Sequence, residues 1–218
     1  MLICQLISGF TQSEETWNGV QELREKLLSE LDDYSSLSLR IRLDVWNANW
    51  RAIARQMYML RERYPQEAFA VVVFAYSWGV GNGLVKLAKE LSRYGVDIDQ
   101  AVISDGIYRH RFSLGNWRAV LGDSRIVLPA NVLSVQGFYQ DISYPMGRQP
   151  VSQRAKCHPW TRIILPHVEM DSSRNWHDRC IAVAKEAARR CVGPTSSVPV
   201  AAPASAALDS RIANGSEK

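Results

Sequence analysis

Residues Ala70 to Tyr76 read Ala-Val-Val-Val-Phe-Ala-Tyr, an unbroken apolar run rich in β-branched side chains that gives way at Ser77 to a glycine-rich segment. A strand with one face in water would alternate apolar and polar positions, so a run of this kind needs cover on both faces. Further runs of β-rich character are LICQLIS from Leu2, SLRIRLDVW from Ser38, QAVIS from Gln100, ANVLSVQGF from Ala130 and RIILPH from Arg162. Amphipathic stretches separate them. This alternation predicts parallel strands joined by right-handed helical crossovers, an α/β chain forming a three-layer α/β/α sandwich on a mostly parallel sheet of about six strands.

The helices carry their own marks. Thr11 and Glu14 have the spacing of a capping box, after which Trp17, Val20, Leu23 and Leu27 recur at helical spacing and are expected in the core. A second helix is predicted from about Trp50 to Arg63, with Ile53, Met57 and Leu60 inward and an end before Pro65. A third begins just past Ser77 and places Leu84, Leu87, Ala88 and Leu91 on one face, and the last runs from about Trp176 to Arg190. Beyond residue 191 the chain turns to Ala, Ser and Pro without large apolar anchors. Residues 1–191 are therefore read as one domain and residues 192–218 as a disordered tail. A length of 218 residues with 46% hydrophobic side chains suits a single core.

The formal net charge is +4, but the basic residues are dispersed and form no stripe interleaved with aromatics, so no nucleic acid is expected as a partner. The first ten residues, MLICQLISGF, lack a basic segment, a long apolar segment and a cleavage site, and no run reaches membrane-spanning length. A cytoplasmic protein with no membrane span is expected. Cys4, Cys157, Cys180 and Cys191 form no C-x-x-C pair and read as free thiols, with Cys180 and Cys191 as small buried hydrophobes. The oligomeric state is not legible.

The apolar run at 70–76 ends in Ala75-Tyr76-Ser77-Trp78-Gly79, where a serine stands between small residues two before and two after it. This is the form of a nucleophile elbow, with alanine at the first small position of G-x-S-x-G, where strand and helix must approach closely. The bland alternative is a tight strand-to-helix turn in which Ser77 only caps the helix. A serine hydroxyl needs a base, a group that orients the base, and donors for the developing oxyanion. Asp105 follows the QAVIS strand and His167 ends RIILPH, so an acid and a base follow the serine in the order Ser-Asp-His, each at a strand end. Asp141, after the following strand, is the alternative acid, while Asp123 reads as a turn residue. Among the other histidines, His110 and His158 read as surface residues and His177 sits in the first turn of the last helix. The oxyanion donors are expected to be the Trp78 amide and an amide of the loop after the first strand, SGFTQ, where Gly9 with Phe10 or Thr11 are the candidates.

These residues resemble the α/β-hydrolase superfamily, and more narrowly small lipase-like serine hydrolases of bacteria and phages. The likeness rests on SGFTQSEETW, AYSWGVGNGLVKLAKEL, VISDGIYRH, PANVLSVQGFYQ and HVEMDSSRNWHDRCIAVA, blocks that cover most of residues 1 to 191. It implies a compact α/β-hydrolase fold beginning at the strand that bears the oxyanion loop, with Ser77, Asp105 and His167 in the triad positions. It also implies an ester or other small-molecule acyl substrate and no cofactor.

Three other readings compete. Gly79 to Gly83 reads G-V-G-N-G, which could cradle a phosphate, but the glycine spacing departs from a dinucleotide fingerprint and no G-K-[ST] follows. The histidines and cysteines have no ligand spacing, so no metal is expected. A non-catalytic protein that keeps the fold and binds through its cleft or its tryptophans is the remaining class, with Trp46, Trp50, Trp78 and Trp117 as candidates for an exposed cluster. Trp78, beside Ser77, would face the mouth of a cleft and favour an apolar or aromatic group.

Overall fold

The structure is a computed structural model and describes residues 1–10, 12, 17–107, 125–152 and 154–192. The strands are β1 (Leu2–Ser8), β2 (Leu39–Val45), β3 (Ala70–Tyr76), β4 (Gln100–Ser104), β5 (Ser134–Tyr139), β6 (Lys156–Cys157) and β7 (Thr161–Arg162). The helices are α1 (Gly19–Glu30), α2 (Trp50–Arg63), α3 (Val85–Ser92) and α4 (Arg174–Val192). Neighbouring strands run in the order β2-β1-β3-β4-β5, and the short β6 and β7 pair with successive parts of the free edge of β5. Every pairing among these strands is parallel. This is a three-layer α/β/α sandwich on a parallel sheet.

Strand alternation explains the continuous apolar runs. Ile3, Ile7, Val71, Val73, Ala101 and Ile103 pack against α2 and α3 on one face, while Leu2, Leu6, Val72, Phe74 and Val102 pack against α1 and α4 on the other. Successive side chains of a strand point to opposite faces, so both registers must be apolar when both are covered. The chain leaves β1 towards β2 and later returns to β3 on its other side, which places the topological switch point between the ends of β1 and β3. Open α/β sheets bind ligands at such a crevice.

Several expectations need correction. RIILPH is not one strand: the ladder keeps only Thr161 and Arg162, and the backbone then turns through Pro166 into a 3₁₀ turn that begins at His167. Trp17 is not core but 68% exposed, because Asn18 caps α1 and leaves Trp17 outside the helix. The cap is a full box, with the Asn18 side chain accepting from the Val20 and Gln21 amides and the Gln21 side chain accepting from the Asn18 amide. Trp50 is buried in the core and is no part of an exposed cluster. Cys180 is buried as expected, whereas Cys191 is only half-buried. Thr11, Glu14, His110, Trp117, Asp123 and the tail from residue 193 lie outside the described residues. Among the described residues no helix is long and apolar enough to cross a membrane.

Candidate active site

Ser77 and Asp105 are the only non-glycine residues with positive φ among the described residues, at 54° and 44°. A left-handed conformation costs a residue with a side chain roughly 1–2 kcal/mol, so the surroundings must impose it. They do so by carrying the sheet ladder one residue past each strand. The Ser77 amide donates to the carbonyl of Ser104 at the end of β4 (3.0 Å), and the Asp105 amide donates to the carbonyl of Phe138 in β5 (2.8 Å). The Ser77 carbonyl in turn accepts from the amides of Val80 (3.1 Å) and Ile107 (3.0 Å).

Past Ser77 the chain enters a π-helical turn, Gly79–Leu84, that runs on into α3. The glycines here are consumed by packing. A Cβ on Gly79 would lie 2.6 Å from the Ile7 carbonyl oxygen, and one on Gly83 would lie 2.6 Å from the Ile7 methyl group. This close approach of helix to β1 accounts for Gly79 and Gly83 without a phosphate.

Three side chains meet at this edge. Ser77 Oγ lies 2.9 Å from His167 Nε2, and His167 Nδ1 lies 2.6 Å from Asp105 Oδ2. Asp105 is sealed from solvent, while His167 and Ser77 keep 8% and 5% exposure. A carboxylate only accepts, so Nδ1 carries the imidazole proton and Nε2 is left to accept from the serine hydroxyl. The hydroxyl therefore points its proton at a base.

Residues that the sequence did not single out build the frame. Gln140, one residue past β5 and 1% exposed, donates from Nε2 to Asp105 Oδ2 (3.0 Å) and from its amide to Asp105 Oδ1 (3.2 Å). The same side chain binds the Ser143 and Pro145 carbonyls and accepts from the amides of Ile142 and Ser143, folding residues 140–145 around itself. Ser143 Oγ then accepts from the His167 amide (2.7 Å). Tyr76 donates its hydroxyl to the His167 carbonyl (2.7 Å) and stacks its ring beside the imidazole, and Ser104 Oγ donates to the Met170 carbonyl (2.8 Å). Burial pushes the Tyr76 phenol well up, keeping it a neutral donor. Gly147 closes over the acid, since a Cβ there would sit 1.9 Å from Asp105 Oδ1.

Asp141 does not reach the imidazole. It is exposed and held by Arg162, whose Nε lies 2.9 Å and 3.0 Å from its two carboxylate oxygens, and this guanidinium keeps its carboxyl below the usual range. His158 is half-buried against Ser134 Oγ, and His177 is fully buried on the far side of the histidine loop. There His177 Nε2 donates to the Asp171 carbonyl (2.7 Å) and Nδ1 accepts from Lys26 (3.1 Å), while burial lowers its pKa and keeps it neutral.

The loop after β1 approaches the serine closely. A Cβ on Gly9 would lie 3.0 Å from the Tyr76 ring and 3.1 Å from Ser77 Cβ. Its amide is engaged, however, donating to Gln12 Oε1 at 2.9 Å, and Gln12 is itself held by Asp171. The Phe10 amide has no acceptor among the described residues, and the Trp78 amide stands at the helix start, where no intrahelical acceptor exists. Phe10, Trp46 and Trp78 form an aromatic cluster in which the two indoles stack at 4.4 Å and 10°. Among the described residues no group of three His, Cys, Asp or Glu side chains stands together as a metal site.

No protein-family description matches the chain, and no curated protein matches it. Solved structures similar to it include RedJ, a thioesterase of the prodiginine biosynthetic pathway in Streptomyces coelicolor, 13% identical over 85% of this chain and 90% of that one, with a TM-score of 0.47. Another is ClbQ from the colibactin NRPS/PKS pathway, 10% identical over 88% of this chain and 99% of that one, also with a TM-score of 0.47. Likeness at this level says nothing about reaction or substrate.

Proposed function

We propose that this protein is a serine hydrolase that cleaves an ester or related acyl compound through an acyl-enzyme intermediate. The observation that carries the reading is the continuous bond series from Ser77 Oγ through His167 to the sealed carboxylate of Asp105, at 2.9 Å and 2.6 Å. His167 Nε2 takes the hydroxyl proton as Ser77 Oγ bonds to the substrate carbonyl carbon, whose C=O pair moves onto oxygen. The amides of Phe10 and Trp78 receive that oxyanion, and Gly9 serves the loop by its lack of a side chain and its bond to Gln12. The tetrahedral adduct collapses, the bond to the leaving group breaks, and the departing oxygen or sulfur takes the proton from Nε2. Water then enters by the same route, giving its proton to His167 as it attacks, and the carboxylic acid leaves as Ser77 is reprotonated. Asp105 holds the imidazolium through both halves.

Hydrolysis of chromogenic acyl esters by the purified protein and by His167→Ala tests this. Loss of the general base lowers turnover by about 10²–10⁴-fold. Near-normal turnover in a folded His167→Ala protein contradicts it, and no turnover by the unaltered protein supports a cleft that binds without reacting.

A further inference from the structure

The site is divided along the sheet. Asp105 leaves β4, Gln140 leaves β5 and His167 follows β7, so the acid and base stand on one side of Ser77. On the other side, Trp46 leaves β2 and Phe10 follows β1, and both rings meet Trp78. A tetrahedral adduct on Ser77 has its leaving group at His167 Nε2, because that atom supplies the leaving group's proton. Its oxyanion lies at the Phe10 and Trp78 amides. The remaining substituent, the acyl chain, is left to the side of Ser77 that carries the three rings.

From this division, and resting on the hydrolase reading above, we infer that Phe10, Trp46 and Trp78 form the acyl subsite and select a flat aromatic acyl group. The rings are preformed rather than gathered by the substrate. Trp46 is fixed through its carbonyl, which accepts from the Trp50 indole at 3.1 Å, Trp78 is fixed by the elbow, and Phe10 is carried on the loop tied down by Gln12 and Asp171. Phe10 lies 4.6 Å from Trp78 at an interplanar angle of 56°, and 54% of its surface faces solvent, so the cluster has an open aromatic rim. The Trp78 indole N–H is shut away and has no acceptor among the described residues, so this residue offers the substrate ring carbon and no hydrogen bond. Such a wall gains more from another π-system than from a saturated group of the same size, since aromatic pairs add to the gain from area alone.

A shape-matched pair of acyl groups tests this. Esters of 3-phenylpropanoic and 3-cyclohexylpropanoic acid with one common leaving group keep the His167 side constant, and the phenyl ester is expected to have the higher kcat/KM by roughly two- to tenfold. Binding of 3-phenylpropanamide and 3-cyclohexylpropanamide to Ser77→Ala protein, followed by tryptophan fluorescence, needs no turnover and should show the same preference. Trp46→Leu, or Trp46→Met should the first not fold, is expected to bring both ratios close to one. Phenyl-selective binding without turnover would sink the hydrolase reading and leave the aromatic subsite standing. Turnover with equal rates and equal binding for the two groups overturns the subsite and leaves the hydrolase reading intact.

Discussion

Removing the Gln140 carboxamide should slow the reaction without unfolding the protein. The buried Asp105 carboxylate accepts from His167 Nδ1 (2.6 Å), Gln140 Nε2 (3.0 Å) and the Gln140 amide (3.2 Å). Gln140→Ala deletes the second and keeps the other two. A hydrogen bond to a charged group contributes about 1.5–3 kcal/mol, and about 1.4 kcal/mol is a tenfold change in rate, so kcat/KM should fall by about 10- to 100-fold if that bond holds the carboxylate in place through the reaction. Gln140→Glu keeps the size but turns a second carboxylate towards Asp105 in place of the donor, and like charges this close repel, so its loss should be at least as large. The assay is kcat/KM on one chromogenic ester, with thermal melts to show that each variant is folded. Turnover within about twofold of the unaltered protein in a folded Gln140→Ala would refute the reasoning and leave Gln140 as a loop brace only.

Gly79→Ala should be destabilising by about 1–3 kcal/mol in a denaturant titration, because its Cβ falls 2.6 Å from the Ile7 carbonyl oxygen and 2.7 Å from that of Ser8 and neither backbone can give way. Asp141→Asn breaks only an exposed pair with Arg162 and should leave both turnover and the melting temperature unchanged; a large loss of turnover would return Asp141 to the role of acid. His177 should make the fold sensitive to mild acid. Its native pKa lies below the ordinary 6.5, so as pH falls through that value the unfolded chain binds a proton that the native state, with Lys26 at Nδ1 and the Asp171 carbonyl at Nε2, still refuses. The stability is present above that pH and is lost as pH falls towards the lowered native value, so the melting temperature should drop there, and His177→Gln should flatten that part of the curve.

The alternation of apolar runs and amphipathic stretches fixed the layers because both sheet faces are covered and both registers of β1 and β3 must be apolar. β3 and β4 matched their runs, Ala70–Tyr76 and Gln100–Ser104, residue for residue. The edge beyond β5 was less legible. Ile163 is buried whereas Ile164 is 73% exposed, so the apolar letters of RIILPH record a loop pressed on the core rather than a ladder. Trp17 misled for a similar reason, since periodicity does not reveal where a cap begins a helix, and Asn18 begins this one. At the site, strand ends pointed to Ser77, Asp105 and His167, which the structure brings together. The end of β5 also drew attention, but to Asp141, while the residue that reaches the acid is its neighbour Gln140. An amide carries no chemical signature in a sequence. Only the fold shows that it faces a buried carboxylate.

The central claim is that Ser77 is an activated nucleophile, and labelling with a fluorophosphonate probe tests it most directly. Intact mass and peptide mapping should show a single adduct on Ser77 of the unaltered protein, none in Ser77→Ala, and labelling greatly slowed in His167→Ala. A folded protein that takes up no probe, or takes it up equally with Ser77 replaced, would contradict the account.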